Sequence, residues 1–258
     1  MQILNKVTTG VSGLDEMLNG GLPSSRSILV VGGPGSGKTI LGLQFLLNGI
    51  SQNNESGLFV SLEESTQHLK EDALGFGWDL EKLEKQQKFA MVDASPIRTI
   101  PGEVKLGEIR IGKRDFSMLS LIEIIKSRAA RMNAKRVVVD ALTNLVIQYP
   151  DSFEKRMALL DLLQAISSLG STNLITTENH VTTFKRIVSA EEFLCHGVIV
   201  FHVLREGGQL VRAVQIEKMR GTAHDQQIRP YRITNKGLVV YNKEESMDFP
   251  TEITASFA

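Results

Sequence analysis

The chain has 258 residues, 42% of them hydrophobic and 22% charged, a composition typical of one large α/β domain or two small ones. Its 29 basic and 29 acidic residues cancel, which argues against strong non-specific attraction to nucleic acid or anionic membranes, although a local basic patch stays open. Cys195 is the only cysteine, which excludes an intrachain disulfide framework and a multi-cysteine zinc site and is compatible with a reducing cytoplasm.

The sequence contains no predicted targeting or membrane segment. The first ten residues lack an apolar signal core, and no run approaches the roughly 18 uninterrupted apolar residues of a membrane-spanning helix. We therefore expect a cytoplasmic protein that does not enter a membrane.

Predicted strands and helices alternate along the first 180 residues. Short apolar runs rich in branched residues predict five strands, at 26–33, 57–65, 88–94, 134–142 and 171–179. Helical spacing of apolar residues predicts four helices between them, at 38–50, 65–77, 116–132 and 151–170. This alternation predicts an α/β fold with a doubly wound, mostly parallel sheet and right-handed crossovers.

The pattern changes after residue 195, where only strands follow. Residues 196–220 predict two strands joined by a Glu-Gly-Gly turn, and 228–241 predict another hairpin. We expect them to extend one edge of the sheet as antiparallel strands. Residues 95–116 have no clean period and are interpreted as a long loop or insertion. The predicted organisation is one domain over 1–242 and a polar, frayed tail over 243–258.

The motif "GGPGSGKT" lies between the first predicted strand and the first predicted helix, and it predicts a phosphate-binding loop. Glycines let backbone N–H groups turn towards phosphate oxygens, and the helix start adds partial positive charge. A chance glycine-rich turn is the alternative. Lys38 is expected to reach the β- and γ-phosphates and the Thr39 hydroxyl to bind Mg²⁺. The predicted nucleotide-binding residues are Gly33, Pro34, Gly35, Ser36, Gly37, Lys38, Thr39 and Ile40.

Two sets of acids follow predicted strands. Asp140 ends the strand "RVVVD", at the sheet edge where such folds bind ligands, so we predict that it holds Mg²⁺ directly or through water. A strand-end aspartate can instead cap the next turn. Glu63 and Glu64 follow the second strand, where a carboxylate beside the γ-phosphate could orient and deprotonate the attacking water. The alternative is that they begin the next helix, where acids suit the dipole.

Lys218 and Arg220, in "EKMRG", are two apart on a predicted strand and therefore share a face. Two cations on one face need a carboxylate partner or an anion. The phosphate loop already contains Lys38, so a second cationic pair for the same nucleotide has no obvious purpose. Pairing with Glu217 or a nearby acid is the structural alternative.

Several motifs together resemble RecA-type ATPases, especially the KaiC-like branch. The similarity covers about residues 7–241, from "VTTGVSGLDEMLNGGLPSSRSILVVGGPGSGKT" to the last hairpin. It includes the paired glutamates and the shorter motifs "FGWDL" (76–80), "TTE" (176–178), "EEF" (191–193) and "KMRGTAH" (218–224). KaiC itself has two such domains in tandem, and this chain has room for only one.

The resemblance implies a RecA-like P-loop NTPase fold and a homo-oligomer, a hexameric ring with ATP or ADP and Mg²⁺ between subunits. It implies slow ATP hydrolysis that regulates a partner protein. Lys218 and Arg220 match a pair that family members extend to the γ-phosphate of the adjacent subunit, and His224 matches a residue near the neighbour's ribose. Glu192 and Phe193 stand where the second KaiC domain carries phosphoacceptors, which argues against autophosphorylation there.

Two other functions stay open. A recombinase-like, DNA-binding ATPase would use Lys185 and Arg186 in a loop facing a central pore, but zero net charge favours an ordinary solvated loop. The 95–116 segment is basic yet partly offset by acids, and it lacks an aromatic stacking platform. A non-hydrolysing scaffold assembled by ATP is the third hypothesis. Packing or structural roles are expected for Trp78, His196 and His202.

Overall fold

The computed structural model describes residues 5–94, 104–106, 109–111, 113–146, 149, 151–178, 188–206 and 209–241. Its strands are β1 (Lys6–Val7), β2 (Leu22–Pro23), β3 (Ser27–Gly32), β4 (Gly57–Ser61), β5 (Phe89–Asp93), β6 (Val104–Leu106), β7 (Ile109–Ile111), β8 (Arg136–Asp140), β9 (Thr172–Glu178), β10 (Gly197–Glu206), β11 (Gln209–Met219), β12 (Arg229–Thr234) and β13 (Gly237–Val240). Its helices are α1 (Ser12–Met17), α2 (Lys38–Asn53), α3 (Thr66–Leu74), α4 (Leu80–Lys85), α5 (Lys113–Met132), α6 (Thr143–Val146), α7 (Ser152–Ser167) and α8 (Ala190–Leu194).

Nine strands form one mixed sheet in the order β13-β12-β11-β10-β3-β9-β8-β4-β5. The strands from β10 to β5 pair in parallel, and β11, β12 and β13 continue the β10 edge with antiparallel pairing. The predicted fold class is therefore confirmed. One detail differs: β10 belongs to the late hairpin but also pairs in parallel with β3, so it joins the two halves of the sheet.

Alternating side chains along the central strands separate two hydrophobic cores. In β3, Leu29 and Val31 face the core formed with α5 and α7, whereas Ile28 and Val30 face the core formed with α1, α2 and α3. Because both faces are covered, the strand is apolar at successive positions, as expected of a buried parallel strand. All six residues of β3 are buried.

The clearest predicted helix, α7, begins and ends for local reasons. The Asp151 side chain accepts hydrogen bonds from the N–H groups of Phe153 and Glu154, both at 2.9 Å, and so caps the helix start. Gly170, three residues past the helix, has a φ of +69°, in the left-handed region that favours glycine.

Three differences concern segments that sequence periodicity describes poorly. The predicted helix over 65–77 is shorter in the structure, where it ends at Leu74 as α3, and the unpredicted helix α4 follows after a turn at Gly77. The predicted loop over 95–116 contains the antiparallel pair β6–β7, and α5 begins within it at Lys113. The short helices α1, α6 and α8 were not predicted because six or fewer residues are too few for a helical period to show.

Some predictions fall outside the described residues. These are the pore-loop role of Lys185 and Arg186, part of the basic 95–116 segment and the tail over 243–258. They remain predictions. Within the described part of the chain, no helix combines the length and apolar character that crossing a bilayer requires.

Candidate nucleotide site

The predicted phosphate loop connects the carboxyl end of β3 to the start of α2. Gly35 and Gly37 have φ values of +70° and +87°, which a glycine adopts without strain, and Gly37 caps α2. The Lys38 ammonium donates to the carbonyl oxygens of Gly32, at 2.8 Å, and Gly33, at 3.1 Å. The first N–H groups of a helix have no acceptor within it, so the loop and the start of α2 present donors suited to an anion.

Thr39 and Asp140 form the candidate magnesium site. The Thr39 hydroxyl donates to Asp140 Oδ2 at 2.7 Å, and the Thr176 hydroxyl donates to the other carboxylate oxygen. Asp140 is 7% exposed at the end of β8, so the two hydroxyls orient a buried carboxylate. An aspartate and a threonine hydroxyl fit Mg²⁺, which usually takes one or two protein oxygens and completes its shell with water and phosphate oxygens. No cluster of three or more His, Cys, Asp or Glu side chains in the described residues is arranged to hold a metal ion.

Glu63 and Glu64 lie in the same cleft as Lys38, Thr39 and Asp140. They follow β4, which is beside β8 in the sheet, with Ser61 paired to Asp140. The carboxyl ends of both strands therefore bring the glutamates towards the candidate metal site. Ser61 also accepts a hydrogen bond from the Glu64 N–H at 3.3 Å and donates its hydroxyl to the Glu64 carbonyl.

Burial and neighbouring charges shift two pKa values in this cleft. Burial lowers the pKa of the Lys38 ammonium, and the negative charges of Asp140, Glu178 and Glu63 act against that change. Burial raises the pKa of the Glu64 carboxyl, and Asp72 raises it further by repulsion. A carboxylate with a raised pKa is a stronger base, which suits proton abstraction near neutral pH.

The cleft has a volume of about 920 Å³, within the range of pockets that bind small ligands. One side carries the phosphate loop and the acids. Helix α3, the first turns of α2 and strand β12 supply the other side, which is more apolar. The residues of this second side include Ile40, Leu43, His68, Leu69, Ala73, Phe76 and Ile233.

The sequence predictions missed several residues of this cleft. Glu178, at the end of β9, lines it, and Thr176 on the same strand orients Asp140. The motif "TTE" marked this strand end, but the sequence alone assigned it no role. Trp78 was expected to be a packing residue, and its ring stacks on Phe76 at 4.9 Å between centroids.

Lys218 and Arg220 lie at the opposite end of the sheet. Lys218 pairs with Val198 of β10, which pairs with Leu29 near the start of β3, whereas the phosphate loop follows the end of β3. The Lys218 ammonium donates to the carbonyl oxygens of Glu192 and Cys195, both at 2.7 Å. The Arg220 guanidinium donates to the Phe193 carbonyl at 3.3 Å.

Within one chain the two cations thus bind carbonyl oxygens at the end of α8, where helical carbonyls lack intrahelical partners. All three of these hydrogen bonds are to backbone carbonyl oxygens. Burial and the charge of Arg220 lower the pKa of Lys218.

His224 lies outside the nucleotide cleft and lines a separate depression of about 480 Å³ with Glu16, Asn19, Asp225, Gln226, Gln227 and Arg229.

The "EEF" motif forms helix α8. Glu192 is 4% exposed and accepts a hydrogen bond from the Ser189 N–H at 2.7 Å, while Glu191 pairs with Lys155 of α7 at 3.2 Å. Phe193 is exposed.

His196 and His202, which were expected to be structural, contact Arg26 and Gln215 respectively, each at 3.3 Å.

Comparison with known proteins agrees with this geometry. Residues 7–245 match the family model described as "ATPase: KaiC". The chain belongs to the KaiC ATPase family. It is 36% identical over 242 residues to a UPF0273 protein of Thermotoga maritima, covering 94% of this chain and 98% of the relative.

Two further comparisons of this KaiC-family chain are with a circadian clock protein and with a solved structure. It is 35% identical over 242 residues to the circadian clock oscillator protein KaiC of Synechococcus elongatus, covering 93% of this chain but 45% of KaiC. The chain therefore spans one KaiC-like domain. The crystal structure of a KaiC-like protein from Pyrococcus horikoshii superposes with a TM-score of 0.78 at 32% identity, covering 93% of this chain and all of that one. The RecA-like assignment is thus confirmed.

Proposed function

We propose that this KaiC-family chain is an Mg²⁺-dependent ATP hydrolase whose active sites lie between the subunits of a ring. The observation that carries the proposal is the single cleft that joins the phosphate loop, the Thr39–Asp140 pair and two glutamates. Phosphoryl transfer needs these three parts: a cradle for the phosphates, a metal ligand set and a group that orients water.

Each side chain has a separate part in the proposed reaction. Lys38 would leave the loop carbonyls and bind β- and γ-phosphate oxygens, a short movement for a flexible ammonium chain. Thr39 and Asp140 would hold Mg²⁺, which neutralises phosphate charge when bound. Burial raises the pKa of Glu64, which would take the proton of the attacking water. Glu63 would help to orient that water.

The remaining cations support a composite site. Lys218 and Arg220 lie at the sheet end away from their own phosphate loop, so a nucleotide that they bind belongs to a neighbouring subunit. The family resemblance supplies the same expectation, with His224 near the neighbour's ribose. A ring closes when every subunit offers its cleft to one neighbour and its cationic edge to the other. Hydrolysis would then change the interface and regulate a partner protein.

The double substitution Glu63→Gln with Glu64→Gln tests the catalytic assignment. Both changes keep the shape of the side chains but remove the base, so we expect phosphate release to fall by about 10²–10⁴. ATP should still bind, as measured by equilibrium titration with Mg·ATP. Unchanged turnover in the double variant would remove the glutamates from the mechanism.

Autophosphorylation is not part of the proposal. Neither Glu192 nor Phe193 has a hydroxyl group, and the Glu192 carboxylate already accepts the Ser189 N–H. We expect no transfer of ³²P from γ-labelled ATP to the 191–193 segment. A labelled peptide from that segment would contradict this expectation.

A further inference from the structure

Two side chains from the antiparallel strands hold the outer surface of the phosphate loop. Tyr231 of β12 donates its hydroxyl to the Ser36 carbonyl oxygen at 2.6 Å. Arg212 of β11 donates its Nε–H to the Gly35 carbonyl oxygen at 3.1 Å. The two acceptors are consecutive peptide carbonyls, so two adjacent peptide units of the loop are fixed from outside.

The Tyr231 contact is buried and well packed. Tyr231 is 3% exposed and Ser36 is fully buried, and the Phe201 ring lies 4.8 Å from the Tyr231 ring. Burial raises the pKa of the Tyr231 hydroxyl, which therefore keeps its proton and can donate. A buried carbonyl that loses its donor is costly, so this bond constrains the Ser36 carbonyl strongly.

Peptide geometry links this contact to the binding side of the loop. In a trans peptide the C=O and N–H groups point in opposite directions. Holding the Ser36 carbonyl towards Tyr231 therefore turns the N–H of Gly37 the other way, towards the inside of the loop. Glycine has a permissive backbone, so the Gly37 peptide needs such an external contact to keep one orientation.

The hairpin that carries Tyr231 also packs against the same glycine. A Cβ atom at Gly37 would lie 3.2 Å from both Ile233 Cδ1 and Leu238 Cδ2. Strands β12 and β13 thus pack against the outer side of the loop. Tyr231 of β12 donates the hydrogen bond to Ser36. Both strands belong to the antiparallel part of the sheet rather than to its parallel core.

We propose that Tyr231, assisted by Arg212, is a positioning residue that orients the phosphate-loop amides before nucleotide binds. The proposal rests on the proposed nucleotide-binding function. Amides already oriented towards the phosphate do not have to be ordered on binding, and this preorganisation strengthens affinity. The class of ligand that gains is a nucleoside di- or triphosphate, because the loop cradles its α- and β-phosphates.

The expected kinetic effect is specific. An amide that contacts the β-phosphate does so in the ground state and in the transition state alike. Losing its orientation therefore raises KM and weakens ADP binding while leaving kcat nearly unchanged. A hydroxyl that only stabilised the fold would instead lower the melting temperature and the fraction of active protein.

The test is a calorimetric titration of the full chain with Mg·ADP. Tyr231→Phe removes one oxygen atom, and we expect about tenfold weaker ADP binding with unchanged stoichiometry. Arg212→Ala removes a solvent-exposed contact that water can replace, so we expect about threefold weaker binding. Tyr241→Phe is the matched control, because Tyr241 follows β13 and does not line the cleft, and it should bind ADP like the wild type.

Each outcome bears on the proposal. An ADP dissociation constant within about twofold of wild type in Tyr231→Phe would overturn it, as would a loss confined to stoichiometry. If Tyr231→Phe does not fold, unchanged ADP affinity in Arg212→Ala overturns the preorganising role of the outer contacts. If the wild type itself fails to bind Mg·ADP, the proposed function falls and the positioning role falls with it.

Discussion

The two ends of the central sheet differ in what their charged residues contact, and strand β8 shows this difference within five residues. Asp140 ends the strand at the cleft, where it holds the Thr39 and Thr176 hydroxyls. Arg136 begins the strand 1% exposed, pairs with Glu55 at 2.6 Å and donates to the carbonyl oxygens of Thr8 and Phe45, both at 2.8 Å. We propose that the charge at the carboxyl end serves a ligand, whereas Arg136 at the amino end joins the N-terminal segment and α2 to the sheet.

Lys218 and Arg220 complicate this contrast because they lie at the amino end but are proposed to act in catalysis. In the single chain they bind the last carbonyl oxygens around α8. Strand β11 carries Arg212 beside its own phosphate loop and Lys218 six residues later, about 20 Å along an extended strand. The comparison therefore predicts that Lys218 and Arg220, unlike Arg136, serve a different subunit's nucleotide.

The largest effect should come from Arg220→Ala. An arginine supplied to a neighbour's γ-phosphate contributes about 10³–10⁵ in rate, so phosphate release should fall by that factor. Nucleotide binding should persist, since the chain's own loop is unchanged. Mixing Arg220→Ala with Lys38→Ala subunits should restore part of the activity, because some interfaces then combine an intact loop with an intact arginine.

Arg131→Ala is the control for that experiment, because Arg131 is exposed near the end of α5 and does not line the cleft. Its turnover should match the wild type. If no mixture of the two inactive variants recovers phosphate release, the pair serves its own chain and the assignment in trans fails.

Asp140→Asn should alter the metal requirement. Removing the charge while keeping the shape should raise the Mg²⁺ concentration for half-maximal turnover by about 10–100-fold. Asp93→Asn is matched to it, since Asp93 ends the edge strand β5, two strands from β8, and does not line the cleft. An equal Mg²⁺ dependence in both variants would show that Asp140 only caps the following turn.

Gly49→Ala should weaken the amino end alone. A Cβ atom there would lie 2.2 Å from Arg136 Nε and 2.6 Å from Cδ, and the guanidinium is held by Glu55 and two carbonyls. We expect a loss of about 1–3 kcal/mol in the free energy of unfolding, measured by denaturant titration, although alanine is the better helix former.

The folded fraction of Gly49→Ala should bind nucleotide normally, because Arg136 lies away from the cleft. Gly75→Ala is the matched control: its φ is −60° and its Cβ would meet only the Asp72 carbonyl, at 3.1 Å. A Gly49→Ala protein as stable as the control would contradict the rigid packing of Arg136.

The smallest effect concerns pH. Glu64 acts as a base only when ionised, and burial together with Asp72 raises its pKa, so turnover should fall as the pH drops through that raised value. Asp72→Asn removes one repelling charge and should move the acid limb of the kcat profile to lower pH. Glu71→Gln on the same helix should leave the limb in place, and an equal shift in both variants would argue against Glu64 as the titrating group.

The phosphate loop and the acids were predictable because their chemistry is local. Gly33 to Ile40 lie in one short segment, and Asp140 and Glu63 each follow an apolar strand that marks its own end. Glu178 and Thr176 were missed as site residues because nothing in "TTE" shows that β9 lies between β3 and β8. Strand order is decided by packing of the whole sheet rather than by any one strand.

The sequence by itself determined the alternating fold, the family and the glycine-rich loop predicted to bind phosphate, because hydrophobic period and turn chemistry depend on neighbours in the chain. Only the tertiary structure decided that Tyr231 and Arg212 contact the outer side of the loop, and that Lys218 and Arg220 lie at the opposite end of the strands. The reason is physical: β10 pairs in parallel with β3 and antiparallel with β11, so strand direction sends one end of β11 to the loop and the other away from it.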